Sequence, residues 1–241
     1  MRIERDKTAE LTYAIGDVHG CYTQLRNLLR HCLEHRGQNP YRLVFLGDYI
    51  DRGRRSAEAV ELLIKTQASD PERIICLRGN HDDMAVAAAR GGDSELWLAN
   101  GGAATLRSYG VQHARDIPQA HLDWMGSLPL AYADNKRFFV HAGIEPGVPL
   151  NQQDRDTLLW IREPFLSDLS DHGLFIVHGH TPTDAEVPEL RPNRLDLDTG
   201  ACFGGPLTAA VFDPKMTGPL AFITDDGTIV RAPALTELAE L

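Results

Sequence analysis

Cysteine is scarce in this chain of 241 residues: Cys21, Cys32, Cys76 and Cys202 are the only four, and no two form a C-x-x-C pair. A chain of this length does not need disulfide staples to hold a core, so the four read as reduced thiols of a cytoplasmic protein. Long apolar runs are absent too, and nothing approaches the length of a membrane span. The first ten residues, MRIERDKTAE, are charged and polar, unlike a signal peptide. There is no internal repeat and no low-complexity tract. Basic residues are outnumbered, 24 Lys and Arg against 34 Asp and Glu, for a formal charge of -10. Such a chain is repelled by bare nucleic acid and by anionic membranes, so neither is an expected partner. A small cleft in an acidic protein can still be locally positive and accept a phosphate.

Hydrophobic residues make up 43% of the chain, enough for a sizeable core. No linker-like composition divides it, so one domain over residues 1–241 is expected. Its first third alternates strand and helix patterns. Leu11 to Ile15 is a short apolar run that ends in Gly16-Asp17. Leu25, Leu28, Leu29, Cys32 and Leu33 then share one helix face. Leu43 to Leu46 is a second strand, again ending in Gly-Asp. Ser56 reads as the N-cap of a helix carrying Val60, Leu63 and Ile64. Ile74 to Leu77 is a third strand, ending in Arg78-Gly79-Asn80-His81. This βαβαβ order implies a parallel sheet with buried strands. Residues 82–128 interrupt it with a helical insertion of two or three short helices, expected as a cap or wall beside the sheet edge. Strand patterns return at 138–140 and 174–177. The last third reads as antiparallel β at 194–197, 207–212, 220–224 and 228–231, with Asp226-Gly227 as a hairpin turn. A parallel half and an antiparallel half suggest an α/β fold of two sheets packed face to face, with helices outside.

Five of the expected strands end in residues of one chemical kind. Asp17 and His19 follow the first, Asp48 the second, Asn80 and His81 the third, His141 the fourth, and His178 and His180 the fifth. Ligand crevices of open α/β sheets lie at the carboxyl ends of strands, so these residues can converge although they are far apart in sequence. Carboxylate, imidazole and amide oxygen suit hard-to-borderline divalent ions. Asp17 and His19 are two apart, so an extended backbone points both the same way. Two divalent ions bring four positive charges. Asp17, Asp48 and a bridging hydroxide remove three, and the remainder attracts a phosphate dianion. Singly, Asp17 reads equally as a helix cap and Asp48 as a turn residue.

Gly16-Asp17-Val18-His19-Gly20, Gly47-Asp48-Tyr49-Ile50-Asp51-Arg52-Gly53 and Arg78-Gly79-Asn80-His81-Asp82 resemble, in order, the signature blocks of the phosphoprotein-phosphatase family of metallophosphoesterases. His141-Ala142-Gly143, Gly179-His180-Thr181-Pro182 and Asp198-Thr199-Gly200-Ala201 continue the likeness, which runs from about Tyr13 to about Phe212. It is nearest to the small bacterial and phage serine/threonine phosphatases. The resemblance implies a calcineurin-like fold of two mixed sheets flanked by helices. It also implies two divalent ions; manganese fits best, and iron or zinc also suit. Asp17, His19 and Asp48 would hold the first ion. Asp48 would bridge to the second, completed by Asn80, His141 and His180. A wider superfamily has one more histidine where this chain has Pro182, which leaves the first ion more open.

By the same resemblance, a hydroxide bridging the ions attacks phosphorus directly. Arg52 and Arg162 clamp phosphoryl oxygens, with Asn80 beside them. His81 protonates the leaving alkoxide, and Asp51 orients His81. Other residues have plainer readings. His31 and His35, at i and i+4, lack a third ligand and read as surface residues. His178 reads as a neighbour that tunes His180. Trp97, Trp124 and Trp160 read as packing residues, and Cys202 as a packed thiol. The expected substrate is a phosphorylated protein or small phosphoester, with phosphoserine or phosphothreonine first and phosphotyrosine next. A symmetrical diadenosine tetraphosphate hydrolase is the alternative, although that group typically has alanine at the position of Asp51. A metal-bearing phosphopeptide scaffold without turnover ranks third.

Overall fold

Eleven strands and eight α-helices make up residues 10–238, the part of the chain that the computed structural model describes. In chain order they are β1 (Leu11–Ile15), α1 (Tyr22–Arg36), β2 (Tyr41–Phe45), α2 (Ser56–Ser69) and β3 (Ile74–Cys76). A helical stretch follows: α3 (Asn80–Ala89), α4 (Ser94–Trp97), α5 (Ala103–Tyr109) and α6 (Gln119–Ser127). Then come β4 (Ala131–Ala133), β5 (Arg137–Val140), α7 (Arg155–Trp160), β6 (Phe175–His178), β7 (Glu189–Leu190) and β8 (Arg194–Asp196). The chain closes with β9 (Thr208–Phe212), β10 (Ala221–Thr224), β11 (Ile229–Arg231) and α8 (Leu235–Leu238). Among the described residues no helix is long and apolar enough to cross a membrane.

The strands form two mixed sheets, in the orders β11-β10-β9-β1-β2-β3 and β4-β5-β6-β8-β7. Side-chain alternation along each strand explains how they stack. Ala14, Val44, Ala210 and Phe212 of the first sheet share one buried cluster with Tyr132, Phe139, Val177 and Leu195 of the second. Their neighbours Tyr13, Ile15, Leu43, Phe45 and Val211 face the other way, into a core built with the helices. Phe138, Val140 and Ile176 do the same on the far side of the second sheet, against Leu158 and Phe165. The result is a sandwich with helices outside, as expected.

The two halves of the sequence do not become the two sheets. β8 was expected among antiparallel strands, but it pairs in parallel with β6, Val177 opposite Leu195. β9 pairs antiparallel with β1, which joins the C-terminal strands to the N-terminal parallel set. Thr208–Phe212 is buried along its whole length, as a strand central to a sheet must be, whereas β11 is exposed throughout and forms the edge. Pairing partners so distant in sequence leave no local trace.

Two smaller expectations also change. Arg55, not Ser56, is the N-cap of α2. The Ser56 hydroxyl is buried and accepts from the Asp51 amide instead (3.2 Å). The helical stretch begins at Asn80 and holds more turns than expected. Its α5 and α6 pack on α2, and the Gly101 carbonyl accepts from the Arg52 amide (3.3 Å), so this stretch walls the loop after β2.

The topology aligns six strand ends. β1, β2 and β3 run parallel, as do β5, β6 and β8. Each of these strands leads into a residue discussed below. Phe212 joins the two sheets: its ring meets Phe139 edge-on at 6.2 Å, and the Arg137 guanidinium lies 4.7 Å from it. Phe212→Ala is expected to cost about 3–5 kcal/mol in chemical denaturation. A loss below about 1 kcal/mol would show that the sandwich does not depend on this contact.

Candidate metal centre

The loops after the six strand ends are tightly wound. Six non-glycine residues among those described have positive φ, and five of them are His19 (44°), Asp48 (52°), Asp51 (71°), Arg52 (63°) and His180 (70°). Each such conformation costs on the order of 1–3 kcal/mol and persists only where the surroundings over-determine it. Here the surroundings are buried polar contacts. Asp82, fully buried, accepts from the amides of Asp48 (2.9 Å), Tyr49 (3.0 Å) and Gly79 (3.0 Å). It ties the loop after β2 to the end of β3. Gly79 is required there, because a Cβ would lie 2.1 Å from Asp48 Oδ1.

Asp48 is the centre of the cluster. Its Oδ1 accepts from the His81 amide (3.0 Å) and lies 3.5 Å from His141 Nε2. Its Oδ2 lies 3.3 Å from His19 Nε2. Two groups of potential ligands therefore share one carboxylate: His19, Asp48 and His81, and Asp48, His141 and His180, with ligand atoms in each within 4.8 Å of one another. Asn80 stands in the second group, its Oδ1 at 2.8 Å from His141 Nε2 and 3.1 Å from His180 Nδ1. Asp17 is set slightly apart, both its oxygens accepting from the His180 amide at 3.2 Å. All six residues expected as ligands are thus gathered and buried.

Hydrogen bonding sets the imidazole tautomers. His19 Nδ1 donates to the Ile50 carbonyl (2.8 Å), and His141 Nδ1 to that of Leu46 (2.9 Å). Both Nε2 lone pairs therefore point inward. His141 Nε2 and Asn80 Oδ1 then face each other as two acceptors, an arrangement that a shared cation resolves. Burial pushes His19 and His180 down to about 3 and also lowers His141, so all three are neutral, as ligands must be. Burial alone would raise Asp48, and it is positive charge on the imidazoles of His141, His81, His19 and His180, whenever they are protonated, that holds it below the usual carboxylate range. Asp17 is raised well above that range by burial, Asp198 and Asp48. Burial, with Asp48 adding to it, carries Asp198 up to about 6 against the Gly200 amide and the charges of Arg52 and Arg162. Buried acids crowded in this way fit divalent cations, and the donor set suits them.

A second constellation adjoins the first. His81 Nδ1 donates to Asp51 Oδ2 (2.8 Å). Asp51 also accepts from Trp97 Nε1 (2.9 and 3.1 Å) and from the Thr105 hydroxyl (2.7 Å), while its amide donates to Thr105 Oγ1 (2.8 Å). Burial raises the Asp51 carboxyl against the pull of these bonds. Arg52 donates to His19 Nε2 (2.7 Å) and His81 Nε2 (3.0 Å), spanning the two constellations. Arg162 is exposed on the loop after α7, where its charge reaches His180 and Asp198.

Some of the other residues depart from their readings, and some keep them. Trp97 does more than pack, since it holds Asp51. Trp124 donates to Gln67 Oε1 (2.7 Å), whereas Trp160 is 39% exposed with its ring 6.1 Å from that of His180. The ring of His178 meets Arg194, Asp196 and Phe165 instead of His180. His31 and His35 find Glu34 and Tyr13 and, among the described residues, no third ligand. Asp82, Thr105 and Asp198 had no expected role. Asp82 and Asp198 lie inside recognised blocks, which was the available signal; nothing marks Thr105.

Comparison with known proteins identifies the family. The profile of the calcineurin-like phosphoesterase family matches residues 12–211. Serine/threonine-protein phosphatase 1 of Salmonella typhimurium is 32% identical over 209 residues, covering 82% of this chain and 90% of that protein. A crystal structure provisionally described as a diadenosine tetraphosphatase superposes with a TM-score of 0.69 at 24% identity, covering 96% of each chain. The cold-active protein-tyrosine phosphatase of a psychrophilic Shewanella species gives 0.67 at 17% identity, over 94% of this chain and 81% of its own. These two likenesses are likenesses of fold.

Metal binding should displace protons from the raised acids, because only ionised carboxylates coordinate. Manganese titration of metal-free protein is expected to release protons, shown by calorimetry in two buffers of different ionisation enthalpy. The apparent affinity should rise with pH above the ordinary carboxylate range, because burial, Asp198 and Asp48 make Asp17 hold its proton there in the metal-free protein. The imidazoles of His19 and His180, pushed down to about 3, contribute none there. An affinity that stays flat across this range would contradict the assignment.

Proposed function

Because this chain belongs to the calcineurin-like phosphoesterases and is a metal-dependent phosphatase, we propose that it is a two-metal phosphomonoesterase acting on phosphoserine and phosphothreonine in proteins. Asp17, His19 and Asp48 hold one ion, and Asp48, Asn80, His141 and His180 the other. Bound there, two divalent ions activate water and neutralise phosphoryl charge. The remaining work falls to side chains of this chain. Arg52 turns from His19 and His81 to two phosphoryl oxygens, with Arg162 reaching the same group from the rim. Freed of Arg52, His81 Nε2 takes a proton from solvent, its ring then doubly protonated against the Asp51 carboxylate, and passes that proton to the departing oxygen. Asp51 keeps the His81 ring in place through Nδ1, and Trp97 and Thr105 keep Asp51 in place.

The Asp51–His81 pair is the observation that carries this reading. Serine and threonine alkoxides are poor leaving groups and need an acid, and here one stands beside the metal residues with its orientation set by buried bonds. The name of the Salmonella relative agrees. A second reading, symmetrical hydrolysis of diadenosine tetraphosphate, takes its support from the structural neighbour described that way. A scaffold without turnover is disfavoured, because no part of the site is lacking.

His81→Asn and Asp51→Asn are expected to bind manganese as the parent does yet lose about 10²–10⁴ in turnover of a phosphoserine peptide. The loss on p-nitrophenyl phosphate, whose leaving group needs little protonation, should be much smaller. Equal losses on both would remove the acid assignment. With the parent enzyme and manganese, the phosphopeptide should outrun diadenosine tetraphosphate. Faster turnover of the dinucleotide would favour the second reading, and no turnover of either the scaffold.

A further inference from the structure

The sixth strand end carries a residue that the proposed function leaves unused. Asp198 follows β8 and is 2% exposed. Its Oδ1 accepts from the Gly200 amide at 3.1 Å. Its Oδ2 is buried and has no hydrogen-bond partner among the described residues. The backbone cannot relieve this, because it is held on both sides. The Asp198 amide donates to Asp196 Oδ1 (2.9 Å), and its carbonyl accepts from the Thr183 amide (2.9 Å). Gly16 lies flat against the Leu197 carbonyl, where a Cβ would come within 2.1 Å, so Asp198 is set beside Asp17. The charges it meets are those of Asp17 and Asp48 within the site and of Arg52 and Arg162 towards the rim. A buried carboxylate oxygen with no donor, placed among other acids, lacks a positive neighbour at close range.

We propose that Asp198 belongs to the metal centre, its Oδ2 completing the shell of the ion held by Asp17 and His19, directly or through one bound water. The inference rests on the two-metal reading above. Pro182, next to the Thr183 that clamps Asp198, has no side-chain ligand atom, which leaves a place in the proposed shell that Asp198 would fill. Asp198 is a positioning residue: it holds the ion or its water and does not react.

The test uses the full chain with Asp198→Asn, which keeps the shape and the bond to Gly200. In calorimetric titration with manganese alone, one of two affinities is expected to fall about 10- to 100-fold while the other is nearly unchanged. In EDTA the melting temperature should stay level or rise, because the substitution removes an unpaired buried acid. Asp198→Glu keeps the charge and should retain part of the affinity, and it answers the question if the Asn variant does not fold. An Asp198→Asn isotherm that superimposes on the parent's would overturn the inference, as would a lower melting temperature in EDTA with unchanged affinity. In that case a parent that binds two ions and turns over leaves the proposed function intact. A parent that binds no pair of ions removes both.

Discussion

One carboxylate, Asp48, has to be in two places at once. Its oxygens face opposite groups of ligands, Oδ2 towards His19 and Oδ1 towards His141 and the His81 amide. That division requires the loop after β2 to turn through the left-handed region at Asp48 and to pass hard against Gly79. The strain is carried by Asp82, whose three amide bonds lock the loops after β2 and β3 together. Much of the first sheet serves this geometry. Parallel pairing of β1 with β2 and of β2 with β3 brings all three loops to one edge.

The second sheet supplies the other side of the site. β5 and β6 run parallel and deliver His141 and His180, and the cluster around Phe139 and Phe212 fixes their height relative to the first sheet. Polar groups then take over from packing. The carbonyls of Ile50 and Leu46 choose the tautomers of His19 and His141, and Trp97 with Thr105 aims the Asp51–His81 pair. The helical stretch between β3 and β4 therefore supports the proposed acid, His81, although only Asn80 at its start stands among the proposed ligands.

The residues gathered at the site were legible because each closes a short apolar run, and strand ends of one chemical kind are uncommon by chance. Their roles came from the order of the blocks. Sheet membership was not legible: Arg194–Asp196 and Thr208–Phe212 look alike as apolar segments, yet they enter different sheets through partners far away in the chain. Trp97 and Thr105 were equally hidden, since a tryptophan or threonine in a helical stretch carries no mark of the carboxylate it reaches across some fifty positions. Asp198 was quoted within a block but not weighed. Nothing local shows that its strand runs parallel to β6, which is what makes it a sixth strand end.

The central claim is that Asp48 is shared by two ions. Crystals grown with manganese and measured at the manganese absorption edge test it directly. The account predicts two anomalous peaks about 3.5–4 Å apart, with the Asp48 carboxylate touching both. A single peak, or two peaks of which Asp48 touches only one, would contradict it.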